Sequence, residues 1–184
     1  AGSVYYIEAS NNVTLNGASF DNEGEVYFSS DVYSLTASVF DLGQNGNVFT
    51  NTGVINVSDT ATIDIEGATL DNSAGEIYLA DGQTLTIDGG STGGTFKIGG
   101  GTSLELGAAS TGSIAFLGDV TVNVVSDTVL NTAVTLDASN GNMVTITGQG
   151  LSIGRSTALT LTSNDSVNTS SFLNYGTLAL ESES

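Results

Sequence analysis

The sequence contains no cysteine, no histidine, no proline and no tryptophan, and its only basic residues are Lys97 and Arg155. Each absence removes a class of chemistry. Without thiol or imidazole there is no disulfide framework, no thiol nucleophile, no imidazole base and no common zinc ligand set. Without proline, no position in a central strand loses its ladder donor. Without clustered cations, 20 carboxylates set a formal charge of −18. Such a field repels nucleic acid and anionic membranes, because a phosphate partner needs Lys or Arg to replace its released counterions. No apolar run approaches the roughly 20 residues of a membrane-spanning helix. Neither nucleic-acid binding nor membrane insertion is expected. The missing cysteines fit a secreted, extracellular or cell-surface protein. No leader peptide is recognisable, so Ala1 either follows a cleavage site or is an arbitrary boundary.

What is present favours strands and turns. There are 24 Gly among 184 residues, hydrophobic residues make up 39%, and Thr, Ser, Asn, Val, Ile and Leu fill most of the remainder. Regular alternation of apolar and polar residues argues against disorder, the competing reading of an acidic chain rich in Gly, Ser and Asn.

One phrase recurs: FTNTGVINV at 49–57 and FLNYGTLAL at 172–180, with fainter copies FDNEGEVYF at 20–28 and LDNSAGEIYL at 70–79. Two columns of paired apolar residues run through the chain. The first holds Ile55/Val57, Ile77/Leu79, Phe96/Ile98, Ile114/Phe116, Val134/Leu136, Leu151/Ile153 and Leu178/Leu180, at steps of 22, 19, 18, 20, 17 and 27. The second begins Ile63/Ile65, Leu85/Ile87, Leu104/Leu106, Val122/Val124, at steps of 22, 19 and 18. Residues two apart leave the same face of a strand. Strands this short bury an inner face only by stacking coil on coil. The expectation is therefore one all-β domain over 1–184, a parallel β-helix (β-solenoid) of about eight coils of roughly 20 residues each. Residues 53–184 form the regular part, and 1–52 a less regular part and candidate cap, with VFDLGQNGN as an excursion and Tyr5, Tyr6 and Ile7 over the open end. A β-sandwich is the alternative. Asn22, Asn51, Asn72 and Asn174 are expected at turns and as a stacked ladder, each followed by a Gly that permits positive φ.

Units such as GEIYLADGQTLTIDGG and GTFKIGGGTSLELG, between about Gly53 and Thr162, resemble the β-helical passenger regions of bacterial autotransporters and filamentous-haemagglutinin-like adhesins. The resemblance covers about two thirds of the chain and implies export, a parallel β-helix, and a role in adhesion, biofilm or surface-layer structure. No outer-membrane barrel segment is recognisable, and the chain is shorter than such passengers.

Carboxylates are the main reactive groups that the composition leaves. A glycosidase needs two carboxylates about 5–10 Å apart, and Asp64, Asp88 and Glu105 fall near equivalent outward positions. Any acidic solenoid makes such pairs, so no catalytic residue and no enzyme activity is expected. Lys97, between Phe96 and Ile98, should point outward as a solvated charge. Calcium is the one candidate cation, with Asp59, Asp81, Asp119, Asp127 and Asp137 near turns where carboxylates and carbonyls can converge. No other cofactor is expected. Sequons at Asn12, Asn56, Asn164 and Asn168 follow from a Thr/Ser-rich composition. The pairs Thr84/Thr86, Thr145/Thr147 and Thr160/Thr162 resemble those of ice-binding solenoids, on a face expected also to carry Asp64, Glu105 and Asn123. The final strand, TLALESES, leaves an uncovered edge at Phe172, Leu178 and Leu180 that invites strand addition. The expected function is a non-catalytic structural or adhesive solenoid, self-assembling end to end or binding a cell-surface or glycan partner through its side faces, its ends or the loops 39–48 and 163–171. Ice binding and a carbohydrate-binding or carbohydrate-hydrolysing β-helix are the alternatives.

Overall fold

The computed structural model describes residues 4–8, 12–14, 19–29, 38–42, 46–80, 83–99, 103–106, 112–130, 134–138 and 141–181. Among them there are strands and turns and no helix. In chain order the strands begin with β1 (Val4–Glu8), β2 (Asn12–Thr14), β3 (Ser19–Asn22), β4 (Glu25–Ser29), β5 (Ser38–Asp41) and β6 (Val48–Asn51). There follow β7 (Val54–Val57), β8 (Ala61–Asp64), β9 (Thr69–Asp71), β10 (Glu76–Leu79), β11 (Thr84–Asp88) and β12 (Gly94–Ile98). Then come β13 (Ser103–Leu106), the long β14 (Gly112–Val124), β15 (Thr128–Leu130), β16 (Val134–Asp137) and β17 (Gly141–Gly148). The chain closes with β18 (Leu151–Ile153), β19 (Ala158–Leu161), β20 (Ser166–Thr169), β21 (Phe172–Asn174) and β22 (Thr177–Leu180).

Each strand pairs with the strand about one coil away, and the pairing is parallel throughout. That excludes the antiparallel β-sandwich. The first face is β1-β4-β7-β10-β13. The second runs β2-β5-β8-β11, through the first half of β14, to β16, β19 and β22. The third runs β3-β6-β9-β12, through the second half of β14, to β17 and β20. One strand serves two faces because β14 turns a corner at Gly118, whose φ is +67° and where a Cβ would collide with the Gly90 carbonyl. The stacked coils form a β-solenoid of about five turns, as the five strands of the first face count them. The expected eight coils are more than this column shows: β15, β18 and β21 do not join it and form a separate three-stranded sheet.

The alternation behind the expectation is real: β6, β7 and β10 each read half-buried, buried, half-buried, buried. Inward side chains make one continuous core, including Ile55, Ile63, Ile77, Leu85, Ile87, Ile114, Val122 and Ile146, none more than 2% exposed. The two expected columns, however, mix faces. Ile55 does stack on Ile77, but Ile63 stacks on Ile87, and Leu85 stacks on Ile114. Corner lengths vary from coil to coil, so a fixed step near 20 drifts from one face to the next.

Near the first coils the core is aromatic. Phe20 lies edge-on to Phe40 and Phe49, with centroids 5.9 and 5.1 Å away, and Phe28 and Phe49 are fully buried. Tyr5 closes over Phe20 edge-on at 5.6 Å, but Tyr6 points the other way and stacks outside on Tyr27 at 5.3 Å. Strand alternation forbids both from covering the same end. The stretch expected as an excursion starts with part of β5, whose Phe40 belongs to this cluster. Truncating Phe49 to Ala should cost about 3–5 kcal/mol, read as a lower urea midpoint, whereas Tyr6→Ala should change it little.

Candidate functional site

Asn22 and Asn51 end β3 and β6, and Asn72 directly follows β9, at the corner between the third and first faces; all three are buried. The Asn22 amide donates to Asn51 Oδ1 at 2.7 Å and the Asn51 amide to Asn72 Oδ1 at 2.6 Å. Each also donates to the backbone of the next strand, Asn22 to Val54 O and Asn51 to Glu76 O, both at 3.2 Å. An amide carries donor and acceptor on one plane, so identical residues in register satisfy one another inside the core. Asn174 is elsewhere. It is exposed at the end of β21, in register with Ile153, and accepts from the Gly176 N–H at 3.1 Å. The repeated phrase thus forms two kinds of corner. Its glycines are also needed for a different reason than expected. Gly53 and Gly75 have ordinary φ, but a Cβ on Gly53 would strike Gly24 O, and one on Gly75 the Asn51 side chain.

The carboxylates proposed for hydrolysis separate. Asp41, Asp64 and Asp88 are in register on the second face, while Glu105 is at the register position of Tyr78 on the first. Asp64 and Asp88 have a local job: each accepts the N–H two residues on, from Glu66 at 2.9 Å and Gly90 at 2.8 Å. They are turn formers first. Burial pushes the Asp64 carboxyl above its ordinary value; the Glu66 N–H opposes this, and the charges of Asp41, Asp88 and Glu66 add to it. Asp71 is pulled the other way. Burial would raise it, but the Ser73 hydroxyl and N–H and the Lys97 ammonium, 3.1 Å away, outweigh that and hold it below the usual range. Lys97 does point outward, and it is half-buried in this cross-strand pair rather than simply solvated.

The calcium candidates are scattered. Asp59 follows β7 and accepts from the Thr60 N–H, Asp119 lies in β14, Asp127 accepts from the Gly150 N–H, and Asp137 ends β16. Asp81 lies outside the described residues. Among the described residues, no three His, Cys, Asp or Glu side chains group so as to hold a metal. The edge residues Phe172, Leu178 and Leu180 lie on β21 and β22, half-buried, 39% and 76% exposed respectively.

Sequence reasoning missed the third face. Its outward positions place Thr69, Thr95, Thr121 and Thr145 in one register column, continued by Ser166. Beside it run Asp71, Lys97, Asn123, Thr147 and Asn168. A shallow groove of about 320 Å³ opens over this column, lined by Thr69, Thr95 and Thr121, here called its floor, and by the adjoining corner residues Gly67, Ala68, Thr92, Gly93 and Gly94, here called its walls. The signal was a Thr recurring at steps of 26, 26 and 24 residues from Thr69. The expected threonine pairs do not share a face: Thr84/Thr86 and Thr160 belong to the second, Thr145/Thr147 to the third. Asp64, Glu105 and Asn123 likewise fall on three different faces.

Comparison of the chain with protein-family models, curated proteins and solved structures finds no match.

Replacing Asn51 by Leu removes the acceptor of one Asn22 amide hydrogen bond and the donor to Asn72 Oδ1 inside the core, and should cost roughly 2 kcal/mol or more. Asn123→Ala, on the outer surface, should stay within about 0.5 kcal/mol; chemical denaturation compares the two. For Asp64, the folded chain binds the proton more tightly than the unfolded chain. Its ionisation therefore penalises folding above the raised value, and the penalty fades as pH falls toward the ordinary 3.8. Asp64→Asn keeps the turn acceptor. It should melt above the wild type at neutral pH, with the gap in Tm closing on acidification. A gap that is constant or widens contradicts this.

Proposed function

We propose that this chain is a non-catalytic, secreted structural and adhesive β-solenoid that associates end to end. The observation that carries the reading is the state of the last strands. Among the described residues, β20, β21 and β22 each pair on one side alone. Their inner side chains are incompletely covered: Val167 and Phe172 are half-buried, and Leu178 and Leu180 are exposed. At the opposite end β1, β2 and β3 also pair on one side alone, with Tyr5 half-exposed over Phe20. Two ends offering parallel strands and apolar residues suit addition of a second copy, which would complete the ladder and cover both.

In this reading the sheet β15-β18-β21 continues the winding begun by the five-stranded first face, so that the rod reaches eight coils. Calcium bridging between acidic corners belongs to the same proposal. The location rests on the absent cysteines and the strongly acidic surface. The resemblance to adhesin passengers supports the role by analogy of fold alone. Ice binding is the lesser reading, favoured by the Thr column of the third face. The charged pair Asp71 and Lys97 beside that column weighs against it.

Negative-stain electron microscopy and sedimentation test the assembly. Wild-type protein should form rods longer than one molecule in a concentration-dependent way. Leu178→Lys with Leu180→Lys, both at exposed positions, should give folded monomers. A wild type that stays monomeric, or a variant that builds the same polymers, refutes the end-to-end joint. Thermal hysteresis should be absent.

A further inference from the structure

The geometry points to the groove of the third face as a binding site for an uncharged carbohydrate chain; this rests on the adhesive reading above and names its partner. The floor supplies hydroxyls with unspent capacity. Among the described residues, the hydroxyls of Thr69, Thr95 and Thr121 make no hydrogen bond to protein, and each can donate one and accept two. They are in register, so strand stacking spaces them about 4.8 Å apart along the rod. Each brings a methyl group beside its hydroxyl. That mixture suits a sugar ring, which offers hydroxyls at its edge and C–H groups on its face.

The walls allow close approach. Gly93 has φ +81°, and a Cβ on Gly94 would run into Ile65 O, so both must stay bare. A ligand there meets backbone directly. The Thr92 hydroxyl is already committed: with the Thr92 N–H and the Ser91 N–H and hydroxyl, it donates to one oxygen of Glu66, at 3.1–3.3 Å. These bonds hold the Glu66 carboxyl below its ordinary value, the Thr92 hydroxyl contributing most, and fix the wall in place.

Charge selects the class of ligand. The one cation on this face, Lys97, is occupied by Asp71. Nothing remains to hold a phosphate, sulfate or uronate, and a formal charge of −18 repels them. Shape selects further. A volume of about 320 Å³ lies at the lower end of small-ligand sites, which is too small for a protein element. The ion pair of Asp71 and Lys97 beside the threonine column interrupts the uniform hydroxyl lattice that an ice plane would need. A neutral glycan running along the rod axis meets the same hydroxyl once per coil.

The probes are uncharged hexamers of β-1,4- and β-1,3-glucose, of mannose and of N-acetylglucosamine, with oligogalacturonate and a sulfated oligosaccharide as charged comparators. Binding is measured by titration calorimetry on the monomeric Leu178→Lys/Leu180→Lys variant, so that assembly is not read as binding. One neutral hexamer should bind saturably and independently of salt. Thr95→Val with Thr121→Val, which keeps shape and strand propensity, should weaken it at least about tenfold without moving Tm downward. Tyr6→Ala with Tyr27→Ala, on the first face, should not weaken it. The inference falls if no neutral hexamer binds, if a charged oligomer binds better, if the valine variant binds equally, or if the tyrosines carry the affinity. In the last two cases adhesion survives and only the location is wrong. Filament formation by the wild type with no sugar bound leaves the structural role standing without this site.

Discussion

The whole molecule follows from parallel strands stacked in register about 4.8 Å apart. In such a ladder each side chain lies over the residue occupying the same position one coil away, so similar residues meet similar residues. For apolar groups this is favourable at every level, and the core needs no interlocking pattern beyond alternation. For polar groups the outcome depends on chemistry. Amides can satisfy one another, as Asn22, Asn51 and Asn72 do. Carboxylates repel, and at Asp64 the charges of Asp41 and Asp88 add to the burial that raises it. Opposite charges gain, as Lys97 over Asp71 shows.

The corners carry the second constraint. Three faces per turn require frequent changes of direction, and the chain makes them with side chains that accept a backbone N–H two residues on: Asn22, Asp64, Asp71, Asp88 and Asn174 all do so. Much of the acidity on the second and third faces is therefore turn chemistry. This is why the carboxylate row looks like an active site in one dimension and like scaffolding in three. The glycines after these residues answer the same need, since the coil beneath lies too close for a Cβ at Gly53 or Gly75.

The architecture was legible because alternation is local: FTNTGVINV announces two strands and a corner without reference to anything distant. Assignment to faces was not, because it depends on corner lengths that only the stacked neighbours fix. Ile63 and Ile87 are 24 residues apart, whereas a step of 22 from Ile63 falls on Leu85, which pairs with Ala61. The asparagine ladder was readable in three copies. The fourth failed because FLNYGTLAL matches the phrase but sits on Ile153 instead of another asparagine. The threonine floor was visible only as ordinary β-propensity until the register put its members in one column.

The long strand β14 has a mechanical meaning. It runs unbroken across the corner at Gly118 and pairs with β11 and β16 on the second face and with β12 and β17 on the third. A pull along the long axis is passed on at this level by one continuous strand, so the two faces should yield there together and not one after the other.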